Sequence, residues 1–279
     1  MSYLLELNIA EHRLAVEFPS DTLCSWAVRT FSAVPATSYT FASPIDMLVS
    51  VEMGYGRAWD ARLPRIVFTA DRVWYSRSDL QLSASRDYAE ATIDAYDEAA
   101  LEHALMVLYN ALITQREWGL LVRASSVAEG NKASLFMLPA DHPDTKRLPQ
   151  QSGALLADEA AVLKVSGGQV RVFNSPFRQG ICRQPQDIHL TYDVGAYYLQ
   201  RTAPLHHHSP MSRTDAVLQL HSSLLLKPLD PSDTSKTIAM CRKATDKIPF
   251  YELYAPTDWL WERDVVGTAG MPSKRLQHG

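Results

Sequence analysis

The stretch that most constrains this chain runs from 118 to 159. It opens with Trp118-Gly119-Leu120-Leu121-Val122-Arg123-Ala124-Ser125-Ser126-Val127 and continues through Lys132-Ala133-Ser134-Leu135-Phe136-Met137. After a polar loop it ends in Ala154-Leu155-Leu156-Ala157-Asp158-Glu159. The apolar runs at 120–122 and 134–138 have the length of buried strands, and Glu129-Gly130-Asn131 supplies a tight turn between them. The third run is another short strand that closes on an acidic pair. The loop between the second and third strands occupies the position of a phosphate-binding turn.

A phosphate-binding loop works because a glycine-rich turn aims successive backbone N–H groups at phosphate oxygens. A lysine then reaches the outer phosphates, and a Ser or Thr opening the next helix holds Mg²⁺. The required order is G-x-x-x-x-G-K-[ST]; here it reads Leu138-Pro139-Ala140-Asp141-His142-Pro143-Asp144-Thr145. Leu138 and Pro143 stand where the glycines belong, Asp144 replaces the lysine, and only Thr145 fits. Pro143 has no N–H to donate, and Asp141 and Asp144 put negative charge where a polyphosphate would lie. Pro149 falls one turn into the helix whose dipole should favour the anion, and Gly153 follows it. Nucleotide binding in the usual mode is therefore expected to be disabled.

With 279 residues, 46% hydrophobic and 21% charged, the chain can bury a substantial core in one or two domains. A formal net charge of -4 favours neither nucleic acid nor an anionic membrane as partner. Cys24, Cys182 and Cys241 have no metal-ligand spacing and are expected to be reduced thiols. The start, Met1-Ser2-Tyr3-Leu4-Leu5-Glu6, lacks the basic and apolar regions of a signal peptide. No apolar run reaches the roughly 20 residues that span a bilayer. These features predict a cytoplasmic protein without membrane insertion.

In chain order, 3–18 alternates as a β-hairpin, and Asp21 is placed to cap a helix ending at Phe31. Strands are predicted at Met47–Met53, Arg65–Phe68, 73–75 and 88–93, with Thr69-Ala70-Asp71-Arg72 as a turn. The clearest helix runs from an Asp97 cap to Ile113, with Leu101, Leu105, Leu108 and Leu112 as its apolar stripe. His103 on that helix reads as a solvated or core-edge residue.

Further strands are expected at 161–165, 170–173, 188–192 and 197–199, with Gly167-Gly168 as a hairpin turn. His206-His207-His208 reads as an exposed loop, since successive side chains of an extended segment diverge and do not converge on one metal. Ser212 is placed to cap a helix over 214–226, and Ser232 or Asp233 one over about 235–247, before a closing strand at 248–254. The expected organisation is an α/β chain, α+β overall. It has an N-terminal α+β domain at 1–95, a second domain at 96–266 and a tail at 267–279.

The second part resembles the kinase domain of the HPr kinase/phosphorylase-like proteins, in particular divergent HPr-kinase-related proteins associated with peptide-modification clusters. The matching pieces are Leu120-Leu121-Val122-Arg123-Ala124-Ser125, the strand at 133–137, Leu155-Leu156-Ala157-Asp158-Glu159 and the Gly167-Gly168 hairpin. Ser175-Pro176-Phe177 and Ile248-Pro249-Phe250-Tyr251-Glu252-Leu253 complete the series. The resemblance implies an HPr-kinase/PEP-carboxykinase-like nucleotide-binding core. In that layout Arg123 stands where a histidine borders the phosphate site. Asp158 would assist Mg²⁺ or take the acceptor proton, with Glu159 beside it. Arg178 approaches the phosphate cleft and could contact a peptide, as could Lys146 beside the loop.

Two functions follow from the resemblance. In the first the chain is a pseudokinase that needs no cofactor and binds a protein or peptide, with homo-oligomerisation open to it. In the second it is an ATP- and Mg²⁺-dependent Ser/Thr kinase whose missing cation is replaced by Arg123, Lys132, Lys146 or Arg147, with Asp158 as base. Acyl-transfer chemistry at Ser125 or Ser126 has no supporting motif, and both serines read as strand polarity.

Overall fold

The computed structural model describes residues 2–35, 44–137, 154–178, 190–205 and 207–255. The first half builds strands β1 (Tyr3–Ile9), β2 (His12–Phe18), β3 (Val34–Pro35), β4 (Met47–Met53), β5 (Arg65–Phe68), β6 (Arg72–Ser76), β7 (Leu80–Ser85) and β8 (Glu90–Ala95). Helix α1 (Asp21–Phe31) follows β2, and α2 (Glu98–Gln115) follows β8. These strands form one mixed sheet in the order β3-β1-β2-β4-β8-β7-β6-β5.

The second half contributes β9 (Gly119–Arg123), β10 (Ser125–Glu129), β11 (Lys132–Met137), β12 (Ala154–Ala157), β13 (Ala160–Lys164) and β14 (Arg171–Phe173). It continues with β15 (Thr191–Thr202), β16 (His207–Pro210), α3 (Arg213–Ser222), α4 (Thr234–Thr245) and β17 (Phe250–Ala255). The chain is thus mixed α/β, with two mixed sheets and four α-helices among the described residues. None of those helices is long and apolar enough to cross a membrane.

Strict alternation puts Leu5, Leu7, Leu14, Val16, Val49, Ile93, Leu82 and Val73 on one face of the first sheet, all buried. Helices α1 and α2 cover that face. The opposite face carries Leu48, 46% exposed, and Trp74, 36% exposed. Helix α2 is apolar around most of its circumference because it is buried from both sides. Leu101 and Leu105 join the core of the first sheet, whereas Leu121, Val162 and Phe173 of the second sheet enter the same cluster. The Tyr109 hydroxyl donates to the Ile9 carbonyl at 3.2 Å and meets His12 Nδ1 at 3.3 Å, fixing α2 to the first hairpin. Glu11 accepts from Trp118 Nε1 at 3.1 Å and pairs with Lys164, so the hairpin turn also grips the second sheet.

In the second sheet the path β12-β10-β11-β15-β14-β13-β9 closes on itself through the chain. Only Ala124 separates β9 from β10, and only Asp158 and Glu159 separate β12 from β13. Two long antiparallel strands therefore bend together, and their kinks lie side by side. At the other end of β9, Gly119 lets the strand approach β13 closely: a Cβ there would stand 2.0 Å from the Leu163 carbonyl oxygen. Leu120, Val122, Leu163 and Val172 face a second core with Leu220 of α3 and Met240, Cys241 and Ala244 of α4.

Several sequence expectations need correction. Ser20, one residue before Asp21, is the N-cap of α1, its Oγ accepting from the Leu23 N–H. The strand expected at 88–93 begins at Glu90, because Tyr88 sits at φ 57 in a turn; β7, which pairs with it, was not anticipated. Of the strand expected at 188–192, residues 188 and 189 lie outside the described residues, and 191–192 and the stretch at 197–199 belong to one strand, β15. His207 and His208 belong to strand β16, not to a loop. Their backbone pairs with β17, His207 stacks on Tyr254 at 4.5 Å, and His208 meets the edge of Tyr251 at 5.3 Å. His206, Cys182 and the segment after 255 lie outside the described residues; Cys24 and Cys241 are free and buried.

Candidate functional site

Strands β11, β15 and β17 run parallel, so their carboxyl ends lie at one edge of the sheet. Ligands of α/β sheets bind at such an edge, because the chain leaves the strands there in adaptable loops. One face of these strands turns toward α3 and α4 through Leu135, Tyr197 and Phe250. The other carries an aromatic row: Phe136 stacks on Tyr198 with centroids 5.3 Å apart, and Tyr198 on Tyr251 at 5.6 Å. Burial, and secondarily the Tyr251 hydroxyl, push the Tyr198 phenol above its ordinary range.

Alternation places Gln200 on that same face, opposite Leu253 and just past the pairing of Leu199 with Met137. Gln200 is 1% exposed, and among the described residues neither its amide nitrogen nor its amide oxygen has a hydrogen-bond partner. A buried primary amide left unpaired costs free energy that an incoming donor-acceptor pair would recover.

The acidic turn sits where the two bent strands kink. Ser125 Oγ donates to the Asp158 carbonyl at 2.7 Å, and the Ala124 N–H to the Glu159 carbonyl at 2.9 Å. Ser125 pairs with Phe136, so this turn approaches the carboxyl end of β11. Arg123 is exposed at the end of β9, its backbone paired with Ala160 and its N–H donating to the Ser223 carbonyl at 2.6 Å. The backbones of Arg123, Asp158 and Glu159 are thus neighbours at this corner. Ser126 is fully buried beside Leu135 and Ala157, and its hydroxyl has no hydrogen-bond partner among the described residues.

Arg178 is not part of an open surface. It is 6% exposed, and its guanidinium donates to the carbonyls of Ser175 at 3.0 Å, Leu155 at 2.9 Å and Leu156 at 3.2 Å, and to the Asn174 side chain. It fastens the segment after β14 beneath β12, helped by the Ser175 N–H on the Leu156 carbonyl. Phe177 can then drop between Phe31 and Tyr109, 6.0 Å from each ring. The Ser-Pro-Phe turn is a device for packing, and the expectation that Arg178 contacts a peptide is corrected accordingly.

Leu138, Pro139, Asp141, Pro143, Asp144, Thr145 and Lys146 lie outside the described residues, as does Arg147. Lys132 is at the amino end of β11, five residues from Met137, a separation of roughly 16 Å along a strand. Charged residues near this edge include Arg123, Asp158 and Glu159 at the kink and Arg201 and Glu252 on β15 and β17. Arg201 is already paired with Glu252 at 3.4 Å. No three His, Cys, Asp or Glu side chains converge to hold a metal among the described residues.

Sequence reasoning missed Gln200 and the aromatic row. The signal was a lone glutamine closing the run Ala196-Tyr197-Tyr198-Leu199, but period-two alternation assigns faces only once the strand is known. The chain matches no protein-family model, and no curated protein matches it either.

Proposed function

We propose that this chain is a catalytically degenerate HPr-kinase-like protein that binds a protein or peptide partner as an accessory factor, in the peptide-modification setting its resemblance implies. The observation that carries the reading is the makeup of the carboxyl edge of β11, β15 and β17. Phe136 and Tyr251, both half-buried, offer a peptide an apolar footing, and the buried Gln200 amide on the same face has unused donors and acceptors for it once a partner displaces what covers that side chain. The loop sequence that follows β11, Leu138-Pro139-Ala140-Asp141-His142-Pro143-Asp144, lacks the glycines and lysine of a phosphate loop and adds two carboxylates, which opposes a polyphosphate.

A random peptide library selected against the immobilised protein tests this. Selected peptides are expected to bind at least tenfold more weakly to Gln200→Leu. Selected peptides that bind the variant unchanged would overturn the assignment of this edge. The alternative, an active Ser/Thr kinase with Asp158 as base, requires saturable Mg·ATP binding and phosphoryl transfer that Asp158→Asn abolishes.

A further inference from the structure

Strand β5 ends the first sheet, and among the described residues no strand lies along its outer side. All four of its residues are exposed, and three of them, Ile66, Val67 and Phe68, are large apolar side chains each 38% exposed. Leu63, 93% exposed, and Trp59, 61% exposed, stand on the chain leading to it. Natural sheets blunt such edges with charge, proline or a bulge. Here only Pro64 and Arg65 precede an open Ile-Val-Phe run.

The hydrogen-bond phase of this edge is fixed by its hairpin. The Thr69 N–H donates to the Arg72 carbonyl at 2.9 Å, so residues 67 and 65 also exchange bonds with β6. The N–H and C=O groups of Ile66 and Phe68 therefore point outward. Two outward residues separated by one position form a self-complementary set. In an antiparallel pairing of two copies, Ile66 of each meets Phe68 of the other, and Val67 meets Val67 on the two-fold axis. The same register brings Arg65 opposite Thr69, next to the Asp71 carboxylate of the second copy, so the charges at the two ends also match.

We propose that β5 is a self-association edge through which two copies of this chain join their eight-stranded sheets across a two-fold axis. The register makes specific demands. In a non-hydrogen-bonded antiparallel pair the Cα atoms are about 4.5 Å apart, within reach of a disulfide, so Val67→Cys should cross-link two copies on mild oxidation. Ile66→Cys, placed opposite Phe68, should not.

Sedimentation equilibrium of the full chain provides the test. The wild-type mass is expected to approach twice 31.2 kDa as concentration rises. Ile66→Pro removes an outward donor and leaves the bonds to β6 intact, and Val67→Lys puts like charges on the axis. Each should weaken association at least tenfold while circular dichroism shows an unchanged fold. A wild type that stays monomeric, an association that neither variant affects, or cross-linking of Ile66→Cys in place of Val67→Cys would overturn the proposal. A monomer that instead captures a different protein through this edge would also overturn it.

Discussion

The Ser125 hydroxyl donates a 2.7 Å hydrogen bond to the main-chain carbonyl of Asp158, tying the kink between β9 and β10 to the turn between β12 and β13. The bond uses the backbone of Asp158, not its carboxylate. Ser125→Ala is expected to cost about 1 kcal/mol, since the Asp158 carbonyl loses its donor. Asp158→Asn keeps the carbonyl and should retain this bond. Urea denaturation of the two variants separates the structural part of this corner from any chemistry of the carboxylate.

Arg178 serves four acceptors from a buried position. Arg178→Ala strands those carbonyls and should destabilise the chain by about 3 kcal/mol. Arg178→Lys should recover only part of the loss, because an ammonium lacks the planar fork of donors. Thermal melting of the pair checks it; a wild-type melting temperature for Arg178→Ala would contradict the packing role.

Stability should fall on mild acidification. Burial, reinforced by the Arg77 guanidinium, pushes the His103 imidazole down to about 4, and burial also lowers His12. Both are more easily protonated in the unfolded chain, near 6.5, so the unfolded state takes up more protons as pH drops. Their contribution is complete above pH 6.5 and is lost progressively toward pH 4. For the partly exposed His103 this amounts to on the order of 2–3 kcal/mol. Urea midpoints at pH 7 and pH 4.5 measure the loss, and His103→Gln should flatten the profile.

Gln200→Leu should stabilise the free protein by about 1–2 kcal/mol, because it removes an unpaired buried amide at nearly constant volume. Lower stability of the variant would show that the amide is satisfied in the free protein. Combined with weaker peptide binding, higher stability would mark Gln200 as a residue kept for function at a cost to the fold.

The first hairpin, the Asp97 cap, α2 and the turns at Gly130 and Gly167-Gly168 were legible in the sequence because local pattern and backbone preference agree there. The strands β7 and β10 were not. Leu80–Ser85 carries two serines and a glutamine among its six residues, and Ser125–Glu129 follows β9 with one residue between, so neither has a boundary of its own in the pattern. Within the site, the adjacency of Arg123 to Asp158 and Glu159 comes from the pairing of β9 with β13, which local pattern does not specify. The inward turn of Arg178 was not legible either, because it depends on the Leu155 and Leu156 carbonyls brought to it by the bent strand pair. The role of β16 likewise depends on an open edge of β17 that only the assembled sheet provides.

The proposed loss of nucleotide binding is tested most directly by calorimetric titration of the purified chain with Mg·ATP. The degenerate loop predicts no saturable binding up to millimolar nucleotide. A saturable isotherm that weakens when Asp158 is replaced by Asn would contradict the pseudokinase reading and make the chain a working kinase with a rebuilt phosphate site.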